Sequence, residues 1–320
     1  MDMREWFRSA QFGMMVHWGL YSLPAGEWKG RRMEHIGEWA QAYFRIPNEE
    51  YHKLASVFNP ILFDADEWVK LAVDAGMKYM VVTSKHHDGF AMYHSKVSKF
   101  NVVDATPFKR DVIGELANAC AKHGLKLGLY YSQDLDWSEP NGGGYTAGFT
   151  WNHNTGSWTN DWDYPDNASK DYAQCFEAKI KPQVREILTQ YGDICLIWFD
   201  TPRTISPEQS AELFSLVKHY QPDCLVNSRI GNGLGDYHSA GDNEIPADHM
   251  TVLYESPCTL NDTWGYKAFD NNWKSAEKIS ETRKYLNERG INYLLNVGPD
   301  YLGRIPAPSV DILREVGKKG

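Results

Sequence analysis

The feature that most constrains this chain is its alternation of short apolar runs with longer amphipathic stretches. Met14–His17, Tyr79–Ser84, Lys126–Ser132, Ile194–Asp200, Cys224–Ser228, Thr251–Glu255 and Asn292–Val297 read as strands. Helical periodicity fills Asp64–Gly76, Asp111–Gly124, Ala168–Tyr191, Pro207–Tyr220 and Ser275–Gly290, and an aromatic, glycine-rich insertion spans Gln133 to Pro165. Strands joined through helices pair in parallel and are covered on both faces. Neither G-x-G-x-x-G nor a phosphate-binding loop follows any strand, so a doubly wound nucleotide fold loses its main support. The pattern predicts an α/β chain of the irregular (β/α)8 barrel type, with seven strands legible and the eighth not. No Pro/Gly/Ser-rich linker or internal repeat divides the sequence, which predicts one domain over 1–320.

Composition narrows the function classes. The net charge of −9 argues against nucleic acid or an anionic membrane as partner. Twelve Trp, 18 Tyr and 13 Phe demand either a large core or a ligand surface. Cys120, Cys175, Cys195, Cys224 and Cys258 form an odd set without a C-x-x-C pair, so they read as reduced and as no zinc site. The N-terminus lacks the apolar stretch of a signal peptide, and no run approaches ~18 apolar residues. A cytosolic location is expected unless a leader has been removed.

In a barrel, chemistry gathers where the strands end. The predicted ends carry His17, His86-His87, Tyr130-Tyr131, Asp200, Arg229 and Glu255, where a purely structural chain would place small turn residues. Leu196, Trp198 and Asp200 share one strand face, which aims the carboxylate into the barrel mouth. The bland alternative makes Asp200 the first residue of a turn before Thr201-Pro202. Glu244 and Glu38, in loops, compete with Glu255 for a catalytic role. Paired carboxylates among many tryptophans suit glycoside hydrolysis, in which one group protonates the leaving oxygen and another traps the oxocarbenium ion. Trp151, Trp158 and Trp162 either line a sugar site or pack the insertion onto the barrel. A metal is not expected: adjacent His86 and His87 would diverge in an extended strand, and neither H-x-H nor H-E-x-x-H occurs.

Phe12-Gly13-Met14-Met15-Val16-His17-Trp18-Gly19, Lys85-His86-His87-Asp88-Gly89-Phe90, Trp198-Phe199-Asp200 and Leu294-Leu295-Asn296-Val297-Gly298-Pro299 resemble the α-L-fucosidases of glycoside hydrolase family 29. The resemblance runs in order from about Trp6 to Pro306. It implies a retaining, cofactor-free, exo-acting hydrolase releasing L-fucose from a fucosylated oligosaccharide or glycoside, with Asp200 as nucleophile and Glu255 as acid/base. It also implies sugar contacts from His17, Glu38, Trp39, His86, His87, Tyr131, Trp198, Arg229 and Trp264. Met15 stands where the family often has an aromatic residue. Relatives usually continue into a C-terminal β-sandwich, which this sequence does not include. Another retaining exo-glycosidase for a related sugar, or an inactive sugar-binding homologue, is the competing class.

Overall fold

The computed structural model describes residues 2–146 and 158–319. Its strands are, in chain order, β1 Phe12–Val16, β2 Glu27–Trp28, β3 Arg31–Arg32, β4 Tyr79–Lys85, β5 Lys126–Tyr131, β6 Leu196–Phe199, β7 Leu225–Val226, β8 His238–Ser239, β9 Tyr254–Thr259 and β10 Ile291–Val297. Strands β2 and β3 form a separate hairpin, turned by Lys29 and Gly30 at positive φ as a type I′ turn requires. The other eight build one sheet in the order β7-β6-β5-β4-β1-β10-β9-β8, every pair parallel. Its edges meet through a single parallel bridge, Asn227 to Tyr237, and through the Ser228 N–H donating to the Tyr237 carbonyl at 2.9 Å. The predicted irregular barrel is therefore present, with a seam between β7 and β8.

Alternation along the strands builds two cores. Met15, Val81, Tyr130, Leu196, Trp198 and Leu294 point inward, while Met14, Val16, Val82, Leu129, Phe199 and Leu295 face the helices. Four helices, Ala65–Asp74, Val112–His123, Pro207–Tyr220 and Ala276–Asn287, begin at Asp64, Asp111, Ser206 and Ser275, whose side chains accept N–H groups of the first turn. Helix 172–189 carries a π turn at Phe176–Ile180. The turn accompanies a buried Lys179, whose ammonium lies 2.9 Å from Asp136; Lys85 reaches the same carboxylate at 2.8 Å. Helix Met3–Ala10 closes the opposite barrel mouth, with Phe7 packed 4.6 Å from the Tyr237 ring.

Two strand expectations are corrected. The run read as Thr251–Glu255 is instead Tyr254–Thr259, so Glu255 lies near the start of its strand rather than at its end. Pro257 interrupts the sequence pattern because it cannot donate to a ladder. Its nitrogen faces the β8 side, where β8 has already stopped at Ser239 and the Pro257 carbonyl accepts from Asn243 instead. The unread eighth strand is β8, two residues inside a glycine-rich stretch. The five cysteines are buried and unbridged. Among the described residues no helix is long and apolar enough to cross a membrane.

Candidate active site

A cavity of about 590 Å³ opens at the C-terminal mouth of the barrel. Its lining includes His17 after β1, His86 and His87 after β4, Trp198 and Asp200 at the end of β6, Arg229 after β7, Glu38, Trp39 and Trp264. Nine of the eleven side chains expected at the site thus converge there.

Asp200 is held from three sides. Arg229 Nη1 donates to Oδ1 at 2.9 Å and the Tyr130 hydroxyl donates to Oδ2 at 2.9 Å. Gln133 Oε1 accepts the Asp200 N–H, also at 2.9 Å. Burial opposes ionisation, but the Arg229 charge and these hydrogen bonds outweigh it and keep the carboxyl below its ordinary range. His87 Nε2 is 3.8 Å from Oδ2, beyond hydrogen-bond reach. It adds little charge of its own, because burial pushes the His87 pKa down to about 3. Arg229 is therefore the cation that matters. Its Nη2 also donates to Asp242 Oδ1 at 2.6 Å and to the Ala240 carbonyl at 2.8 Å, so one guanidinium spans two carboxylates.

The imidazoles are neutral and oriented. Burial lowers His17 to about 4 and His86 well below the usual histidine range. His17 Nδ1 lies 2.8 Å from Asn296 Oδ1, and Asn296 Nδ2 donates to the Trp264 carbonyl, which assigns the proton to Nδ1 and leaves Nε2 as an acceptor. His87 Nδ1 likewise faces Ser132 Oγ at 2.6 Å, whose own proton goes to the Leu135 carbonyl. His86 Nδ1 is buried without a partner among the described residues. Glu38 accepts the Gly265 N–H at 2.7 Å, and burial raises its carboxyl to about 8, so it carries a proton at neutral pH. Neutral imidazoles beside a protonated carboxyl offer both donors and acceptors to an uncharged polyol.

Two of the eleven expected side chains lie outside the cavity. Tyr131 points outward into the helix layer, donating to Gln183 Oε1 at 2.9 Å, and its neighbour Tyr130 is the inward residue that touches Asp200. Glu255 is absent from the cavity lining and fully buried, with both oxygens taken by Trp198 Nε1 and the Tyr79 hydroxyl. His86 and His87 both line the cavity, because β4 ends at Lys85 and the pair lies in a turn rather than an extended strand. Met15 is sealed in the inner core. Glu244 accepts the Gly241 N–H at 2.7 Å and organises the loop that presents Asp242. Trp158 lines the cavity edge-on to Trp39, 5.2 Å between centroids. Trp162 instead packs on Trp137, and Trp151 lies outside the described residues. Asp242 was missed with its strand: an end at Ser239 would have pointed to Ala240–Asp242. Among the described residues no three His, Cys, Asp or Glu side chains are arranged to hold a metal ion.

The α-L-fucosidase family model matches residues 1–318. A putative α-L-fucosidase of Caenorhabditis elegans is 30% identical over 98% of this chain and 64% of its own length. The human tissue α-L-fucosidase is 31% identical, over 98% of this chain and 66% of its own length. The chain thus spans about two-thirds of these curated relatives. AlfC of Lactobacillus casei, solved with α-L-fucose product, is 53% identical over 100% of this chain and 98% of its own, with a TM-score of 0.96. The fucosidase of Vibrio sp. strain EJY3 is 39% identical over 99% of this chain and 54% of its own, with a TM-score of 0.93. Sequence, barrel and strand-end residues agree, and the chain belongs to the α-L-fucosidase family.

Proposed function

We propose that this chain is a retaining, exo-acting α-L-fucosidase in which Asp200 is the nucleophile and Asp242 the acid/base. The observation that carries the assignment is the Arg229 guanidinium, bonded to both carboxylates at the cavity wall. One guanidinium bonded to both groups keeps the two carboxylates on the same stretch of the cavity wall, where one can attack the anomeric carbon while the other serves the leaving oxygen. Among similar proteins, a D200A mutant of AlfC has been solved with 4-nitrophenyl-α-L-fucopyranoside, and another such complex holds Fuca(1,6)GlcNAc.

In the first step an Asp200 oxygen bonds to the anomeric carbon as the bond to the aglycone oxygen breaks. That oxygen leaves with its electron pair and takes the proton from Asp242. Asp200 loses its charge in the ester while Asp242 gains one, so the counter-charge demanded of Arg229 moves from one of its hydrogen bonds to the other without any side chain having to travel. Water, deprotonated by Asp242, then attacks from the face the aglycone left and releases α-L-fucose. His17, His86, His87 and the protonated Glu38 read the ring hydroxyls, and Trp39, Trp198 and Trp264 supply apolar surface. The test is release of 4-nitrophenol from the aryl α-L-fucoside, with α-L-fucose as the first product by proton NMR. Absence of turnover, or a β first product, contradicts the assignment.

A further inference from the structure

One buried carboxylate below the site has no part in that mechanism. Glu255 Oε1 accepts from Trp198 Nε1 at 2.9 Å and Oε2 from the Tyr79 hydroxyl at 2.6 Å. The same Trp198 indole lies 4.6 Å beneath the Arg229 guanidinium and stacks 5.6 Å from Tyr130, the second donor to Asp200. A single ring therefore connects Glu255 to both groups that hold the nucleophile. Gly13 makes room for the link, since a Cβ there would come within 2.5 Å of the Tyr79 ring.

The surroundings of Glu255 can be named strand by strand. Tyr79 comes from β4, Cys195 from just before β6, Tyr237 from just before β8, and Asn292 and Ser239 are its ladder neighbours on β10 and β8. Burial keeps Tyr79, Tyr237 and Cys195 protonated. Arg229 is the cation that favours ionised Glu255, acting across the indole.

We propose that Glu255 is a positioning residue whose negative charge, transmitted through the Trp198 indole, holds the Arg229 guanidinium between Asp200 and Asp242. An anionic acceptor on Nε1 enriches the indole face that a cation binds, so the cation–π contact is stronger when Glu255 is ionised. Burial raises this carboxyl to about 7. Its charge is thus present above neutrality and lost below it. On the fucosidase reading, which this inference presupposes, kcat/KM falls in two stages with acid: a partial step near neutrality as Glu255 protonates, then complete loss at lower pH as Asp200 does.

The experiment compares wild type, Glu255→Gln and Tyr79→Phe on two aryl α-L-fucosides with different leaving groups, across the pH range. The wild-type step is expected to be roughly tenfold, the scale of one desolvated cation–π contact. Glu255→Gln lacks the step, stays on the lower plateau throughout, and loses the same factor on both substrates. Tyr79→Phe, which removes a donor to the charged form, moves the step to higher pH. A role confined to packing would lower rates without moving the step. If Glu255→Gln does not fold, the Tyr79→Phe step decides alone. An unmoved step there, or a wild-type step retained in Glu255→Gln, overturns the proposal; a leaving-group-dependent loss overturns it in favour of acid/base catalysis by Glu255. Difference infrared spectroscopy separates failure of this inference from failure of the functional reading, because it needs no turnover. A protonated-carboxyl band that vanishes near pH 7 in wild type and is missing from Glu255→Gln supports the charge even in an inactive protein, and its absence from wild type refutes it.

Discussion

Replacing Tyr130 by Phe removes one hydroxyl and leaves the rest of the site in place. That hydroxyl donates at 2.9 Å to Asp200 Oδ2, while Oδ1 keeps Arg229. A buried hydrogen bond to a charged group contributes about 1.5–3 kcal/mol. Because it stabilises only the ionised carboxylate, its loss moves the acid collapse of kcat/KM upward by roughly 1 to 2 pH units, at 1.36 kcal/mol per unit. Folding stability shifts with the same sign. Asp200 is held below its unfolded-state value, so its contribution is full above that value and fades as pH falls through the folded one. The variant narrows this gap and loses part of the contribution. Above neutrality its rate stays within about tenfold of wild type, since Arg229 still secures the ionised form. The assay is kcat/KM on 4-nitrophenyl α-L-fucoside against pH, with thermal unfolding at each pH. A uniform loss with an unmoved acid collapse would refute the claim that Tyr130 holds the charge of Asp200.

Further outcomes follow from other contacts. Asp242→Ala loses about 10²–10⁴-fold on a natural fucosyl disaccharide but far less on an aryl fucoside with a good leaving group, and azide rescues it as the α-fucosyl azide. Glu244→Ala shows neither signature, as steady-state kinetics and product NMR will report. Asp136→Asn leaves the buried Lys85 without its carboxylate and takes one of two from the buried Lys179, which keeps Glu139 at 2.9 Å. It costs about 3–5 kcal/mol in denaturant unfolding, and replacing one lysine by Met in the same chain recovers part of that loss. Substrates deoxygenated at a hydroxyl read by His17 or His86 lose about 10⁴-fold in kcat/KM; equal turnover would remove these imidazoles from the sugar site.

The barrel was legible because its central strands are long and fully buried. Tyr79–Lys85 and Ile291–Val297 are seven-residue runs that no helix period fits. Asp200 was legible for the same reason: β6 is regular enough for its face to extend one residue past Phe199. Legibility failed where the ladder is short or interrupted. β8 has two residues and no apolar signature, which hid the strand end presenting Asp242. Pro257 breaks the pattern inside β9, so the sequence ends that strand at Glu255 and puts its carboxylate at the mouth, whereas the side chain lies under the floor. Tyr130 and Tyr131 are chemically alike and adjacent, and only the register of β5 decides which one faces Asp200. Contacts such as Arg229 with Asp242 join loops across the β7–β8 seam, where no periodic signal exists.

In the proposed mechanism Asp200 forms a covalent bond to fucose. Incubation with a 2-deoxy-2-fluoro-α-L-fucosyl donor bearing an activated leaving group slows breakdown of the ester, and peptide mapping by mass spectrometry locates the label. One fluorofucosyl group is expected on the peptide containing Trp198-Phe199-Asp200, fragmenting to Asp200, with no labelling of Asp200→Ala. Label on Asp242, Glu244 or Glu255, or inactivation without any covalent adduct, would contradict it.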